Sequence, residues 1–334
     1  NSSVTLVTVA QVAAGTKNPP RLEPGQAAPI MTGAPLPPGA DAVVAIERTL
    51  ERDFGPPTGG GTVTFVEPAP PGAFIRTAGA DVRAGSRLLE AGAPLNPGAI
   101  GALVAAGVDR VNVSPSLRVA IVSTGTEIAN GEVPDVNAAG LRLAVNQLGL
   151  AASTHLCPDD PEALIELLQQ VGANSDLIIT TGGVSAGTRE VVRQALSGAP
   201  KAWFGHVEVQ PGGPQGLAQI ESFGRTVPIV CLPGNPVSAL VSFELFVRPP
   251  LAESVGLPPW RQSGQAPLAE PLESVAGRLQ IRRGHLDDAG RVNLIGGPGS
   301  HLVASYARAD LLVLVPEQVT SLPAGDTVEW WRIA

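Results

Sequence analysis

Three short stretches of this chain combine glycine and hydroxyl residues in the way anion-binding loops do. They are Ser123-Thr124-Gly125-Thr126-Glu127, Thr181-Gly182-Gly183-Val184-Ser185-Ala186-Gly187 and Leu232-Pro233-Gly234-Asn235-Pro236-Val237-Ser238-Ala239. Each follows an apolar run, and the second and third lead into helical patterns. A helix start offers unpaired backbone N–H groups and a partial positive charge, which suit a phosphate or another anion. Glycine removes the side chain that would hold a ligand off the backbone. One such loop alone is more often only a tight turn. Three at one sheet edge point to a site for a small anionic ligand.

The elements that must carry these loops alternate between strand and helix over residues 116–252. Val119-Ala120-Ile121-Val122, 152–156, 176–181 and Pro228-Ile229-Val230-Cys231-Leu232 read as buried strands. Residues 141–148, 161–168, 188–196 and 237–247 read as helices, the second with Asp160 as N-cap and Pro161 in the first turn. The last should end before Pro249-Pro250. Such alternation predicts a largely parallel sheet covered by helices, with ligands at the carboxyl ends of its strands. Before it, residues 1–74 read as β-rich, with strands at 40–46 and 61–66 and a loop at 53–61. A helix is expected over 97–107, where Pro lies near the start and Gly at the end. After it, strands at 277–282, 292–295, 310–315 and 328–333 suggest a small C-terminal barrel or sandwich.

Bulk composition limits the partners. A chain of 334 residues suggests two to four domains. A net charge of −8, scattered arginines and 4% aromatic residues argue against nucleic acid, which rewards basic stripes and stacking platforms. No apolar run approaches the ~18 residues of a membrane span. Cys157 and Cys231 have no partner at metal-ligand spacing and read as separate thiols of a reducing cytoplasm, Cys231 as a buried apolar residue. Trp203, Trp260, Trp330 and Trp331 read as packing residues. The chain opens at Asn1 rather than Met, so it is read as lacking its natural N-terminus.

Taken together, the loops resemble those of the molybdopterin molybdenumtransferase family, the MoeA and gephyrin E-domain type, and the resemblance runs nearly end to end. Residues 30–44 (Ile-Met-Thr-Gly-Ala-Pro-Leu-Pro-Pro-Gly-Ala-Asp-Ala-Val-Val) are similar to that family's barrel-domain signature. Ile75-Arg76 through Gly79-Ala80-Asp81 and Gly85 are similar to the segment that follows. The loops 181–187 and 232–239 resemble its two most specific motifs, and Gly299-Ser300-His301 recurs near its C-terminus. The resemblance implies a multidomain α/β plus β protein and a homodimer. It divides the chain into a β-rich domain (1–74), a linker and dimerisation segment (75–115), a MoCF/MogA-like doubly wound molybdopterin-binding domain (116–255) and a C-terminal β-barrel (256–334). It implies insertion of molybdate into adenylylated molybdopterin, with Mg²⁺ and release of AMP. Glu127, Asp159 or Asp160, and Glu190 would then be the Mg²⁺ ligands and catalytic acids. Thr32, Ser123, Thr124, Gly125, Gly182, Gly183, Ser185, Pro233, Gly234, Asn235, Pro236, Arg283 and Ser300 would hold the ligand. Asp135 and Asn137 match a family Asp-x-Asn pattern, although Asn137 also suits a helix cap.

Several positions depart from that pattern. Thr5 stands where the family has an aspartate, Thr126 where an acid precedes Glu127, and Glu190 where the family has Asp. Three lysine positions hold His206, Gln210 and Gly213. Losing charge-assisted hydrogen bonds costs about 1.5–3 kcal/mol each. An active transferase with a rearranged anion site and a homologue that binds pterin without inserting metal therefore both stand. A hydrolase of nucleotide-like substrates fits the loops less well.

Overall fold

The computed structural model describes residues 3–185, 187 and 190–333, and forms two compact units, Asn1–Leu89 and Glu90–Ala334. In the first, β1 (Val4–Thr8) pairs in parallel with β2 (Gln26–Ala27) and antiparallel with β3 (Thr62–Phe65). The strand expected at 61–66 is β3. The one expected at 40–46 does not form: its backbone is extended but unladdered and runs into a 3₁₀ turn at Ile46–Arg48. Val43 N–H donates instead to the Ala73 carbonyl at 3.0 Å. The run is apolar enough for a strand, but among the described residues no neighbouring strand pairs with it.

In the second unit α1 (Pro97–Ala105) begins as its sequence predicts, with Asn96 accepting from Ala99 N–H at 2.9 Å. The α/β domain then runs β4 (Arg118–Thr124), α2 (Thr126–Ala129), α3 (Val136–Asn146), β5 (Ala151–Cys157), α4 (Pro161–Gly172), β6 (Leu177–Thr181), α5 (Val191–Leu196), β7 (Trp203–His206), β8 (Val209–Gln210), β9 (Pro214–Ser222) and β10 (Arg225–Leu232). The sheet order is β5-β4-β6-β10-β9-β7. The first four strands are parallel, and β9 and β7 extend the sheet antiparallel. Of the helix expected at 141–148, residues 141–146 are the second half of α3, which starts five residues earlier, and 147–148 lie in the turn that follows it. Of the helix expected at 188–196, Thr188 lies outside the described residues and α5 starts at Val191.

Helices close both faces. Leu164, Leu168, Val192 and Leu196 pack against Ala120, Val122 and Ile178; Leu141, Val145, Phe243 and Leu251 pack against Val119, Ile121 and Ile179. Each such large side chain, fully buried, contributes roughly 1.5–3 kcal/mol. These two layers fix the strands whose ends carry the loops.

The helix after β10 corrects the sequence reading at its end. It runs as α6 (Pro236–Ser242), a π-helical turn (Phe243–Val247) and α7 (Arg248–Ser254), passing through Pro249-Pro250. The wider turn restarts the bonding pattern, so both prolines fall in a first turn where their missing N–H groups are not needed.

The C-terminal region comprises β11 (Ser263–Pro267), β12 (Leu272–Glu273), β13 (Leu279–Leu286), β14 (Val292–Leu294), α8 (Val303–Ala307), β15 (Leu311–Val315), β16 (Ser321–Leu322) and β17 (Thr327–Arg332). Its main sheet has the order β11-β17-β15-β13-β14, with β8 added in parallel to β13. It is sheet-rich, as expected. Trp330 is buried, and Trp260 packs on Trp331 with ring centroids 5.6 Å apart. Among the described residues no helix is long and apolar enough to cross a membrane.

One ionic clamp ties the amino ends of three parallel strands. Asp176, before β6, accepts from Arg118 on β4 and from Arg225 on β10, the latter at 2.6 Å. Burial pushes this carboxyl up, but the two guanidiniums and the Arg118 N–H outweigh it and hold it at about 2, against 3.8 unperturbed. A depressed carboxyl stabilises the fold above its unfolded pKa and ceases to do so as pH falls through the folded one. Asp176→Asn is therefore expected to lower Tm at pH 6, the gap to wild type closing between about pH 4 and 2. A gap independent of pH would mean that charge is not what the clamp uses.

Candidate functional site

The loops after β4, β6 and β10 meet at the carboxyl edge of the sheet. The chain leaves β4 toward β5 on one side, while β6 lies on the other, so the crevice between β4 and β6 is a topological switch point. Its floor is made of buried hydroxyls on neighbouring strands. Thr181 Oγ1 donates to Ser123 Oγ at 3.3 Å, and Thr124 Oγ1 donates to the Thr181 carbonyl at 3.2 Å.

Glycines set how closely the loops approach. Gly182 has φ +91°, and a Cβ there would lie 3.0 Å from Thr124 Oγ1. A Cβ on Gly234 would lie 3.2 Å from Gly182 Cα, so the second and third loops touch backbone to backbone. Gly183, at φ +61°, leaves room for the start of α5, where a Cβ would come within 2.9 Å of Val192 N. Asn137 holds the third loop: its Nδ2 donates to the Gly234 carbonyl at 2.7 Å, while its buried Oδ1 has no partner among the described residues. The helix-cap role considered for Asn137 belongs instead to Asp135, which accepts from Ala138 N–H at 2.9 Å. Asn235 stands at the start of α6, exposed, without using its side chain as a cap.

The acids are arranged differently from a ready metal site. Glu127 is exposed, and its carboxylate folds over Gly125, 3.0 Å from where a Cβ would stand. Asp159 accepts from Thr126 N–H at 3.2 Å. Asp160 caps α4 through Glu162 N–H at 2.9 Å and Ala163 N–H at 3.2 Å. Glu190 accepts from Ser185 N–H at 2.9 Å, closing its own loop. Among the described residues no three His, Cys, Asp or Glu side chains converge as ligands. Asp160 and Glu190 already serve backbone N–H groups, so the set does not fit Mg²⁺ as a preformed three-carboxylate centre.

Arg283 on β13 is fully buried. Its Nη2 donates to the Gly297 and Gly299 carbonyls, while Nε and Nη1 have no partner among the described residues. Burial, with Arg282 beside it, pulls this guanidinium below its ordinary pKa. The same loop reaches α6, where Val237 N–H donates to the Ser300 carbonyl at 3.0 Å. Arg283, Ser300 and the third loop thus share one neighbourhood. Thr32 is exposed in the other unit. Cys231 is buried, with its thiol pushed up to about 12 by desolvation, the inert residue the sequence suggested.

Sequence reasoning missed two arrangements near these loops. His206 covers Gly213, where a Cβ would lie 2.2 Å from the ring, and Gln210 pairs with Gln280 across 70 residues. Neither leaves a local signal, since both depend on strands meeting.

The chain resembles known proteins over nearly its whole length. Residues 2–107 match a model of the MoeA N-terminal region (domain I and II), 120–253 a probable molybdopterin binding domain, and 265–333 the MoeA C-terminal region (domain IV). Molybdopterin molybdenumtransferase 2 of Mycobacterium tuberculosis is 39% identical over 99% of this chain and 83% of its own length. Molybdopterin molybdenumtransferase 1 of the same organism is 36% identical over 98% and 78%. The crystal structure of a molybdopterin biosynthesis MoeA protein from Pyrococcus horikosii superimposes with a TM-score of 0.75 at 30% identity, covering 99% of this chain and 82% of that one. The chain belongs to the molybdopterin molybdenumtransferase family.

Proposed function

We propose that this chain acts in molybdenum cofactor biosynthesis, binding adenylylated molybdopterin at the carboxyl edge of the α/β sheet and transferring molybdate to it with release of AMP. The observation that carries this reading is the crevice in which Thr124, Gly182 and Gly234 pack at backbone distance, in a chain whose relatives of that name match it along nearly its whole length. Within it, Ser123, Thr124, Gly125, Gly182, Gly183, Ser185 and the run Pro233-Gly234-Asn235-Pro236 cradle the pterin and its phosphate. Arg283 and Ser300 supply the anion-holding side from the C-terminal region. Glu127, whose carboxylate lies over Gly125, is the acid best placed to handle a proton there.

Two further features belong to the same proposal. The bridge between Leu268 and Val292 joins the ends of β11 and β14, the two edges of the C-terminal sheet, and supports a closed barrel. Exposed Ile100 and Val104 on α1 support a homodimer through the 75–115 segment.

Incubating the protein with adenylylated molybdopterin, Mg²⁺ and molybdate should release AMP and form cofactor. Pterin binding without AMP release would favour the non-inserting homologue; no pterin binding would end both readings. The replaced lysines give a sharper test. Gly213→Lys alone must displace His206 and is expected to cost ~1–3 kcal/mol. His206→Lys with Gly213→Lys removes the ring that would clash, and should raise molybdate-dependent AMP release. No gain in the double variant would place the limiting chemistry elsewhere.

A further inference from the structure

Arg282 is nine-tenths buried on β13, and all its hydrogen-bond partners among the described residues are neutral. Its Nη1 donates to the Glu273 carbonyl at 3.4 Å and to Gln280 Oε1 at 3.3 Å, its Nη2 to the Gly296 carbonyl at 3.2 Å, and its Nε to nothing. Gln280, also buried, stands in register with Gln210 of β8, and its Nε2 donates to Gln210 Oε1 at 2.9 Å.

The polarity of this chain is forced from one end. Arginine donates and never accepts. Gln280 must therefore turn its oxygen to Arg282, which leaves its NH₂ for Gln210. Gln210 must in turn offer its oxygen, which leaves its own NH₂ as the free end. That free end sits at the head of the loop Pro211-Gly212-Gly213-Pro214, which packs on α6: a Cβ at Gly212 would lie 2.8 Å from Ser242 Oγ. A cation at the far end of such a chain polarises each bond along it.

We infer that Arg282 is a positioning residue that, through Gln280, fixes the Gln210 amide with its N–H groups toward the oxyanion of the ligand. The inference rests on the proposed function, taken with the reading of Gln210 as one of the replaced lysine positions of the anion site. The position that resembles a lysine site keeps a donor, with a cation behind it on the neighbouring strand. The ligand class is a tetrahedral oxyanion, with inorganic molybdate as the probe.

Gln280→Glu decides the matter, because a carboxylate only accepts. It would pair with Arg282 and oblige Gln210 to reverse, presenting its oxygen instead. The variant should be at least as heat-stable as wild type, yet bind molybdate roughly tenfold more weakly, the factor of one hydrogen bond. A merely structural role would leave affinity unchanged or improved. Arg282→Lys keeps a pure donor and should hold wild-type affinity more closely than Arg282→Met; if Arg282→Met fails to fold, Gln280→Glu still decides. Wild-type affinity in Gln280→Glu, or Arg282→Lys no better than a folded Arg282→Met, overturns the inference. Side-chain amide exchange, read by NMR on ¹⁵N-glutamine protein without ligand, gives an independent check. Gln280 should exchange slowly and Gln210 fast, and Gln280→Glu should slow Gln210. A protected Gln210 amide in wild type overturns the relay. If wild type binds neither molybdate nor adenylylated molybdopterin, the functional reading falls: alone if the exchange pattern is intact, and with the relay if it is not.

Discussion

Gly182→Ala is expected to weaken binding of adenylylated molybdopterin by at least about tenfold, the larger part of the loss falling on affinity rather than on folding. Two physical costs coincide at this residue. Its φ of +91° lies where an L side chain strains the backbone, by ~1–2 kcal/mol for left-handed geometry. The added methyl would also stand 3.0 Å from Thr124 Oγ1 and 3.2 Å from the Thr124 carbonyl, so the β4 and β6 loops must separate. Thr124 cannot yield freely, because its hydroxyl is bonded to the Thr181 carbonyl. Separation widens the crevice at the point where Gly234 also approaches Gly182. Gly198→Ala is the control, since a Cβ there meets nothing within 4 Å. Isothermal titration of both variants beside urea unfolding separates the two effects. Equal affinity in Gly182→Ala and wild type would remove the crevice from the ligand's path.

How much of this was legible in the sequence follows from the range of each interaction. The ends of β4, β6 and β10 were readable because a buried strand, a glycine turn and a helix start are local signals. So was Asp160 as a cap, and the structure places both cap hydrogen bonds on its Oδ1. The hairpin partner β9 was not readable: Pro214, Gly216 and the polar Gln215, Gln219 and Glu221 hide a strand made by pairing with β10. Asn137 matched a motif, but its bond to Gly234 spans 97 residues and depends on α3 packing against α6. The same holds for Gln210, whose partner is fixed only once β8 joins the sheet of the C-terminal region. Pattern alone located the loops. What holds them together is mostly long-range.

Glu244→Ala is the second large effect expected, a loss of about 3–5 kcal/mol in urea unfolding. Glu244 lies buried in the π-helical turn and serves two arginines. Arg261 binds it through two N–H groups at 2.8 and 2.9 Å, and Arg248 Nε lies 3.7 Å away. Arg248 also donates to the Pro259 carbonyl at 2.6 Å. One carboxylate thus fastens the connection between α7 and β11 onto the helix that begins at the third loop. Removing it leaves two guanidiniums facing each other in a site with little water, where burial already lowers the Arg248 pKa. Glu244→Gln keeps the shape but not the charge and should recover only part of the loss. Replacing Glu244, Arg248 and Arg261 together by apolar residues should come much closer to wild-type stability, because the penalty belongs to the unpaired charges rather than to the missing pair. Function should not return with stability in that triple variant. On this expectation the bidentate pair sets where the connection leaves α7, and with it how Ser300 and Arg283 meet the start of α6. Full activity in a stable triple variant would show that backbone contacts such as Val237 to Ser300 align the C-terminal region without the ionic clamp.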